Sequence, residues 1–156
     1  MKRNNVTNTV VGMVFALAVA SLVPSASAQQ CSLARAAGMY GFSDSGTVVG
    51  VGPRMAVGNF TLDAAGNLNG KATSSLNGAI AVETFSGNYT VNSDCTGAFN
   101  NVQIRDLSGN LLLTITADLA WDDNVTHLRG IFTSTTLPNG TPLLTVISAD
   151  ARKTVP

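Results

Sequence analysis

The side chains best suited to chemistry are few, and none stands at a spacing that chemistry requires. His127 is the single histidine of the 156 residues, and alternation along its segment sets it with Arg129 opposite Leu128 and Phe132. It is expected to be exposed, with no obvious partner to tune it as an acid or base. Asp122-Asp123-Asn124 offers oxygen ligands of the kind calcium takes, yet a tight hairpin turn accounts for the same residues. Glu83 and Asp94 would have to stand within roughly 5 to 10 Å to act as a glycosidase pair, and nothing in the sequence imposes that. Gly46, Gly50 and Gly52 resemble a dinucleotide loop only superficially, because no helix follows; a sharply bent first hairpin suits them better. No Gly-x-Ser-x-Gly elbow occurs among the serines. No catalytic residue, metal ligand or cofactor is assigned.

Cys31 and Cys95 are the only cysteines. Two thiolates alone, without a Cys-x-x-Cys spacing and with one histidine in the chain, make a poor metal site. In an oxidising compartment they are expected to pair, tying the start of the folded region to its middle. A loop of that length is worth about 4 kcal/mol in the chain-entropy treatment.

The elements around these residues read as strands and turns. Leu111, Leu113, Ile115, Ala117, Leu119 and Trp121 fall on one face of a single run, with Thr114, Thr116 and Asp118 on the other. Such alternation marks a strand with one buried and one wet face. Turn signals such as Asn77-Gly78, Ser108-Gly109-Asn110 and Asn139-Gly140 recur along the chain. They divide it into about eight strands, near 38–43, 46–52, 54–62, 67–74, 79–91, 96–106, 110–121 and 125–135, with a ninth at 142–149. The phase slips where Ile80 and Val82 fall out of step with Phe85 and Tyr89, and again between Phe99 and Val102. Bulges are therefore expected near Glu83–Thr84 and Asn100–Asn101.

No long helix is available to cover an apolar sheet face, so the sheet must bury that face against itself. The expected fold is all-β, an antiparallel meander closed as an up-and-down barrel, with a two-sheet sandwich as the alternative. Residues 32–37 suit one helical turn plugging an end. A short echo runs through Gly38-Met-Tyr40, Gly58-Asn-Phe60, Gly87-Asn-Tyr89 and Gly130-Ile-Phe132. In each, glycine and ring share a face, and the glycine leaves room for a ring from the next strand.

Residues 1–28 have the parts of an export signal in order: Lys2 and Arg3, an uncharged run from Val10 to Val23, then Ala26-Ser27-Ala28. The run is shorter than the ~20 residues that span a bilayer. Gln30 before Cys31 argues against lipidation. The expected organisation is a signal peptide over 1–28, one barrel domain over 29–150 and a disordered tail over 151–156, in a secreted or periplasmic protein. Without Lys2 and Arg3, seven basic residues face nine acidic ones and form no cluster. Nucleic acid and anionic membrane surfaces are thus excluded as expected partners.

The stretches Gly38-Met-Tyr40-Gly-Phe42, Gly58-Asn-Phe60-Thr-Leu62-Asp63 and Tyr89-Thr-Val91-Asn-Ser-Asp94-Cys95-Thr-Gly97 resemble small secreted proteins of environmental bacteria that have no assigned function. The resemblance implies a secreted β domain and brings no active site with it. A more distant likeness, of architecture alone, is to calycin-type barrels such as lipocalins and avidins.

Three functions follow in order. The first is a non-enzymatic binding protein holding a small apolar molecule inside the barrel, against Phe60, Tyr89, Leu113, Ile115, Trp121 and Phe132. The second is a structural module with a filled core that contacts a cell-surface component. The third is a barrel enzyme of the cyclase or isomerase kind, which calls for Glu83, Arg105 or Arg129 to point inward.

Overall fold

Alternation of small or apolar residues with Ser, Thr and Asn drives every strand of this chain to bury one face, and closure of the sheet supplies the burial. The computed structural model describes residues 30–122 and 124–154. The signal expected over 1–28 and the last two residues of the tail lie outside the described residues.

Ser32 caps a single helical turn, α1 (Leu33–Ala36), accepting from the Arg35 amide at 3.3 Å. Eight strands follow: β1 (Gly38–Val48), β2 (Gly52–Leu62), β3 (Asn67–Leu76), β4 (Ala79–Val91), β5 (Thr96–Asp106), β6 (Leu111–Trp121), β7 (His127–Thr136) and β8 (Thr145–Lys153). Each pairs antiparallel with its chain neighbours, and β8 pairs with β1, so the meander is a closed barrel. Closure removes the free edges of the sheet, although the β7–β8 ladder runs only from His127↔Arg152 to Ile131↔Ser148. Connections are short. Asn77 (φ 49°) and Gly78 (φ 88°) both take the left-handed conformation that a two-residue hairpin turn requires.

The strands expected at 38–43 and 46–52 are one strand, β1. Gly46 does not break it; a side chain there would strike the Val146 backbone of β8, so glycine permits a close approach rather than a turn. The ninth strand expected at 142–149 is β8, shifted to 145–153, where it pairs on both sides. Ala151, Arg152 and Lys153, expected in a frayed tail, thus belong to the barrel, and Ala151 is buried.

The bulge expected at Asn100–Asn101 is present: the β5–β6 register shifts between Phe99 and Val102, and Asn101 has φ 48°. None exists at Glu83–Thr84. The β3–β4 register runs unbroken from Asn67↔Asn88 to Leu76↔Ala79, and a shift appears only at Ser86–Asn88, opposite β5. The apolar residues Ile80 and Val82 face outward instead, and Glu83 faces in.

One end of the barrel is sealed. Cys31 and Cys95 form the expected disulfide, binding the plug to the β4–β5 turn. Tyr89 donates its hydroxyl proton to the Asp63 carbonyl at 2.6 Å, and Lys153 Nζ donates to the Arg35 carbonyl at 2.7 Å. From this end an aromatic series runs inward: Tyr40 stacks on Phe60 at 5.1 Å, and Phe60 meets Phe42 at 5.6 Å and Phe99 at 5.8 Å. Such pairs add about 0.5–1.5 kcal/mol each beyond the area they bury.

Candidate functional site

The barrel interior is layered along its axis. Inward positions recur every second residue, so one step along β1 carries the chain from Phe42 to Asp44, and one step back along β4 from Phe85 to Glu83. Phe42 and Phe85 meet edge to face at 5.6 Å. The layer beyond them is polar. Arg54, on β2, points its Nη2 at Glu83 Oε2 (3.3 Å) and its Nε at Asp44 Oδ1 (3.5 Å). Ser74, on β3, donates to Glu83 Oε1 at 2.7 Å. All four residues are buried, from 3% to 7% exposed.

Four strands thus converge on one guanidinium between two carboxylates. A buried charge is tolerated only when it is paired. Glu83 meets that condition fully, with a partner on each oxygen. Asp44 is less well served: its Oδ1 stands 3.5 Å from Arg54 Nε as an ion pair but completes no hydrogen bond. Burial pushes the Asp44 carboxyl above the usual carboxylate range, with Arg54 pulling the other way.

Beside this cluster lies a hollow of about 60 Å³, lined by Phe42, Phe60, Phe85, Phe99, Ile115 and Phe132 together with Asp44, Arg54 and Glu83. Phe42, Phe85, Phe99 and Phe132 point into a closed barrel, yet they are only half-buried. Their exposed surface is the wall of the hollow. At roughly 10–15 Å³ of such space for each water, the hollow has room for about four.

Of the six residues proposed from sequence to line a cavity, Phe60, Ile115 and Phe132 do so. Tyr89 and Trp121 are buried toward the plugged end: Tyr89 is bound to Asp63, and the Trp121 backbone N–H donates to the Cys95 carbonyl. Leu113 packs half-buried against the core. Phe42, Phe85 and Phe99 were missed, as were Asp44 and Arg54. Extending the Tyr89–Phe85 face by one more step of two would have brought Glu83 inside.

The remaining chemical candidates lie elsewhere. His127 is on the outer face as expected but is not exposed: its side chain is 13% exposed, with Nε2 at 2.6 Å from Asp150 Oδ2. Asp122 accepts from the Thr126 and His127 amides and shapes the β6–β7 turn. Asp94 holds the β4–β5 turn through Thr96, so it does not join Glu83. Of the three residues whose inward placement would suit an enzyme, Glu83 is inside, while Arg129 is 75% exposed and Arg105 bonds Gln103 and the Gly109 carbonyl at the surface.

No family model and no curated protein matches this chain. Among solved structures, a redesigned β-barrel, mFAP1, bound to DFHBI is 13% identical, covering 78% of this chain and 98% of its own, with a TM-score of 0.48. A second barrel, EF1p2_mFAP2b, also bound to DFHBI, is 11% identical over 79% of this chain and all 100% of its own, with a TM-score of 0.51. At that identity, this second likeness is one of barrel fold.

Proposed function

We propose that this protein is an exported, non-enzymatic binding protein that holds a small, mostly apolar molecule inside its barrel. The observation that carries the reading is the set of inward-facing phenylalanines left half-buried in a closed barrel. Apolar surface left unburied in this way is what a ligand would cover, at about 25 cal/mol per Å². The barrel bound to DFHBI at TM-score 0.51 is an instance of a similar fold with a small molecule bound. The disulfide supports an oxidising compartment, in keeping with the amino-terminal signal.

The hollow at rest is smaller than the ~150 Å³ that admits benzene, so a ring-sized ligand must displace the half-buried rings of Phe42, Phe85 or Phe132. Ethylbenzene is a suitable neutral probe. It should raise the thermal midpoint of the folded protein and shift phenylalanine ring resonances. Ala149→Val, which takes up much of the hollow from β8 without bringing in a ring, should weaken both effects while leaving the fold intact. No shift in midpoint or resonances with the wild-type protein, for ethylbenzene or for charged rings of its size, would overturn the reading.

A second reading, a surface-interaction module, draws on the outer face. Met55 and Val57 on β2 stand 64% and 63% exposed, and Ile80 and Val82 on β4 stand 69% and 46% exposed. Concentration-dependent self-association in sizing experiments, lost in Met55→Ser/Ile80→Ser, would favour it.

A further inference from the structure

The polar layer specifies more than that something apolar is bound. Resting on the interior-binding reading above, we propose that the ligand is a small amine, its cationic nitrogen seated against Asp44 and its apolar body among Phe42, Phe85 and Phe132.

Charge balance gives the first reason. The layer holds one guanidinium, Arg54, and two carboxylates, Asp44 and Glu83. Arg54 neutralises one of the two carboxylates, so Asp44 ionises in these phenyl and aliphatic surroundings only by leaving a negative charge uncompensated, and burial raises its carboxyl accordingly. A carboxylate or phosphate ligand would worsen that balance; an ammonium corrects it.

Hydrogen bonding gives the second reason, independently. Glu83 has a donor on each oxygen, so it has little need of another. Asp44 lines the hollow, is 5% exposed, and has an Oδ1 with no hydrogen-bond partner among the described residues. An N–H donor entering the hollow supplies the hydrogen bond that this covered acceptor lacks once the Asp44 carboxylate turns toward it, and a charged donor makes the stronger bond.

The layering gives the third. Phe42 precedes Asp44 by one inward step, and Phe85 follows Glu83 by one. A molecule with its nitrogen at Asp44 therefore places its next atoms against the Phe42 and Phe85 rings, which already touch edge to face at 5.6 Å and must part to admit more than the nearest atoms. Ring faces near an ammonium add attraction of their own.

The test compares three probes of similar size at pH 7 by calorimetry and NMR: benzylamine, its neutral isostere ethylbenzene, and benzoate. The expected order is benzylamine at least tenfold tighter than ethylbenzene, with benzoate weakest. Asp44→Asn should abolish the amine preference while ethylbenzene still binds. Should that variant fail to fold, the ¹³C carboxyl resonance of Asp44 in the wild-type protein gives the same answer, since benzylamine must shift it. Ethylbenzene binding as tightly as benzylamine, or benzylamine binding without moving the Asp44 resonance, overturns the amine and leaves the apolar site standing. Preference for benzoate also overturns it, pointing to Arg54 as the docking group. If none of the three binds, the interior-binding reading falls with it.

Discussion

The Tyr40 hydroxyl donates to the carbonyl oxygen of Ala36 across 2.8 Å, so the last residue of the helical turn is fastened to the strand that opens the barrel. Tyr89 performs the matching task from the opposite wall, with its hydroxyl on Asp63 and Leu33 within 3.2 Å. These are the only two tyrosines in the chain. Both are pushed up to about 12, first by burial; Trp121 acts against the shift at Tyr40, and the charge of Asp63 adds to it at Tyr89.

A pH prediction follows from those two groups. A folded-state value above the unfolded value near 10 means that folding retains protons the unfolded chain has released. Their contribution is fully present below pH 10 and is lost as the pH rises through about 12. Ultraviolet titration at 295 nm should show no phenolate near pH 10 and a late, cooperative rise that coincides with loss of the near-ultraviolet dichroism. Ordinary titration of both tyrosines near pH 10 in the folded protein would contradict this.

Reduction of the Cys31–Cys95 bond should lower stability by about 4 kcal/mol, since the linked residues are 64 apart. In a chain of this length the midpoint would fall by about 15 °C. The barrel should survive at room temperature, because the β-ladder closes without the plug. Thermal scans of Cys31→Ser/Cys95→Ser against the oxidised protein measure the difference. A fall of only a degree or two would mean that the plug is held by its hydrogen bonds alone.

Strand β6 shows what the sequence made legible: Ile115, Ala117, Leu119 and Trp121 alternate into the core as their spacing says. A sheet that buries its faces against itself was legible for the same reason, while its closure as a barrel and not a two-sheet sandwich is settled by the β1–β8 pairing. The polar layer was not legible. Asp44, Arg54, Ser74 and Glu83 lie on four strands, and each alone reads as a solvent-facing residue. On β4 the rule that apolar residues face inward failed outright: Ile80 and Val82 are outside, and Glu83 is inside with Arg54 and Ser74. Pairwise charge compensation across strands cannot be seen in a one-dimensional period.

Glycine placement yields a sharper mutational test. A side-chain carbon at Gly97 on β5 would stand 2.8 Å from Cζ3 of Trp121, and would also strike the Thr90 carbonyl. Trp121 is the only tryptophan and is 6% exposed, so its fluorescence reports the clash directly. Gly97→Ala should cost about 1–3 kcal/mol by overpacking and move the emission to longer wavelength. By contrast, Gly109→Ala meets no atom within 4 Å, so its cost should come only from the backbone conformation at φ 87°. Unchanged emission in Gly97→Ala would show that β5 and β6 separate there without disturbing the ring.

The same principle of compensated charge sets the strongest pH test. Arg54→Met leaves Asp44 and Glu83 buried without their counterion, and should cost about 3–5 kcal/mol at pH 7. The Asp44 carboxyl, already raised by burial, then loses the opposing pull of Arg54 and protonates more readily in the folded state than unfolded. Its contribution to stability is therefore present below the unfolded value near 4 and lost as the pH rises through the raised value. Acidification should accordingly restore part of the deficit. The turn carboxylates work in the opposite sense: Asp63, Asp94 and Asp106 are held low by Asn67, Thr96 and Asn110 respectively, so their contribution is lost as the pH falls below about 4. Denaturant titrations of the two proteins should therefore converge as the pH drops from 7 toward 4. Replacing the cluster as a unit, Arg54→Met/Asp44→Asn/Glu83→Gln, should cost less at pH 7 than Arg54→Met alone, since no stranded charge remains. An Arg54→Met deficit that is independent of pH would locate the guanidinium's contribution in packing rather than in charge.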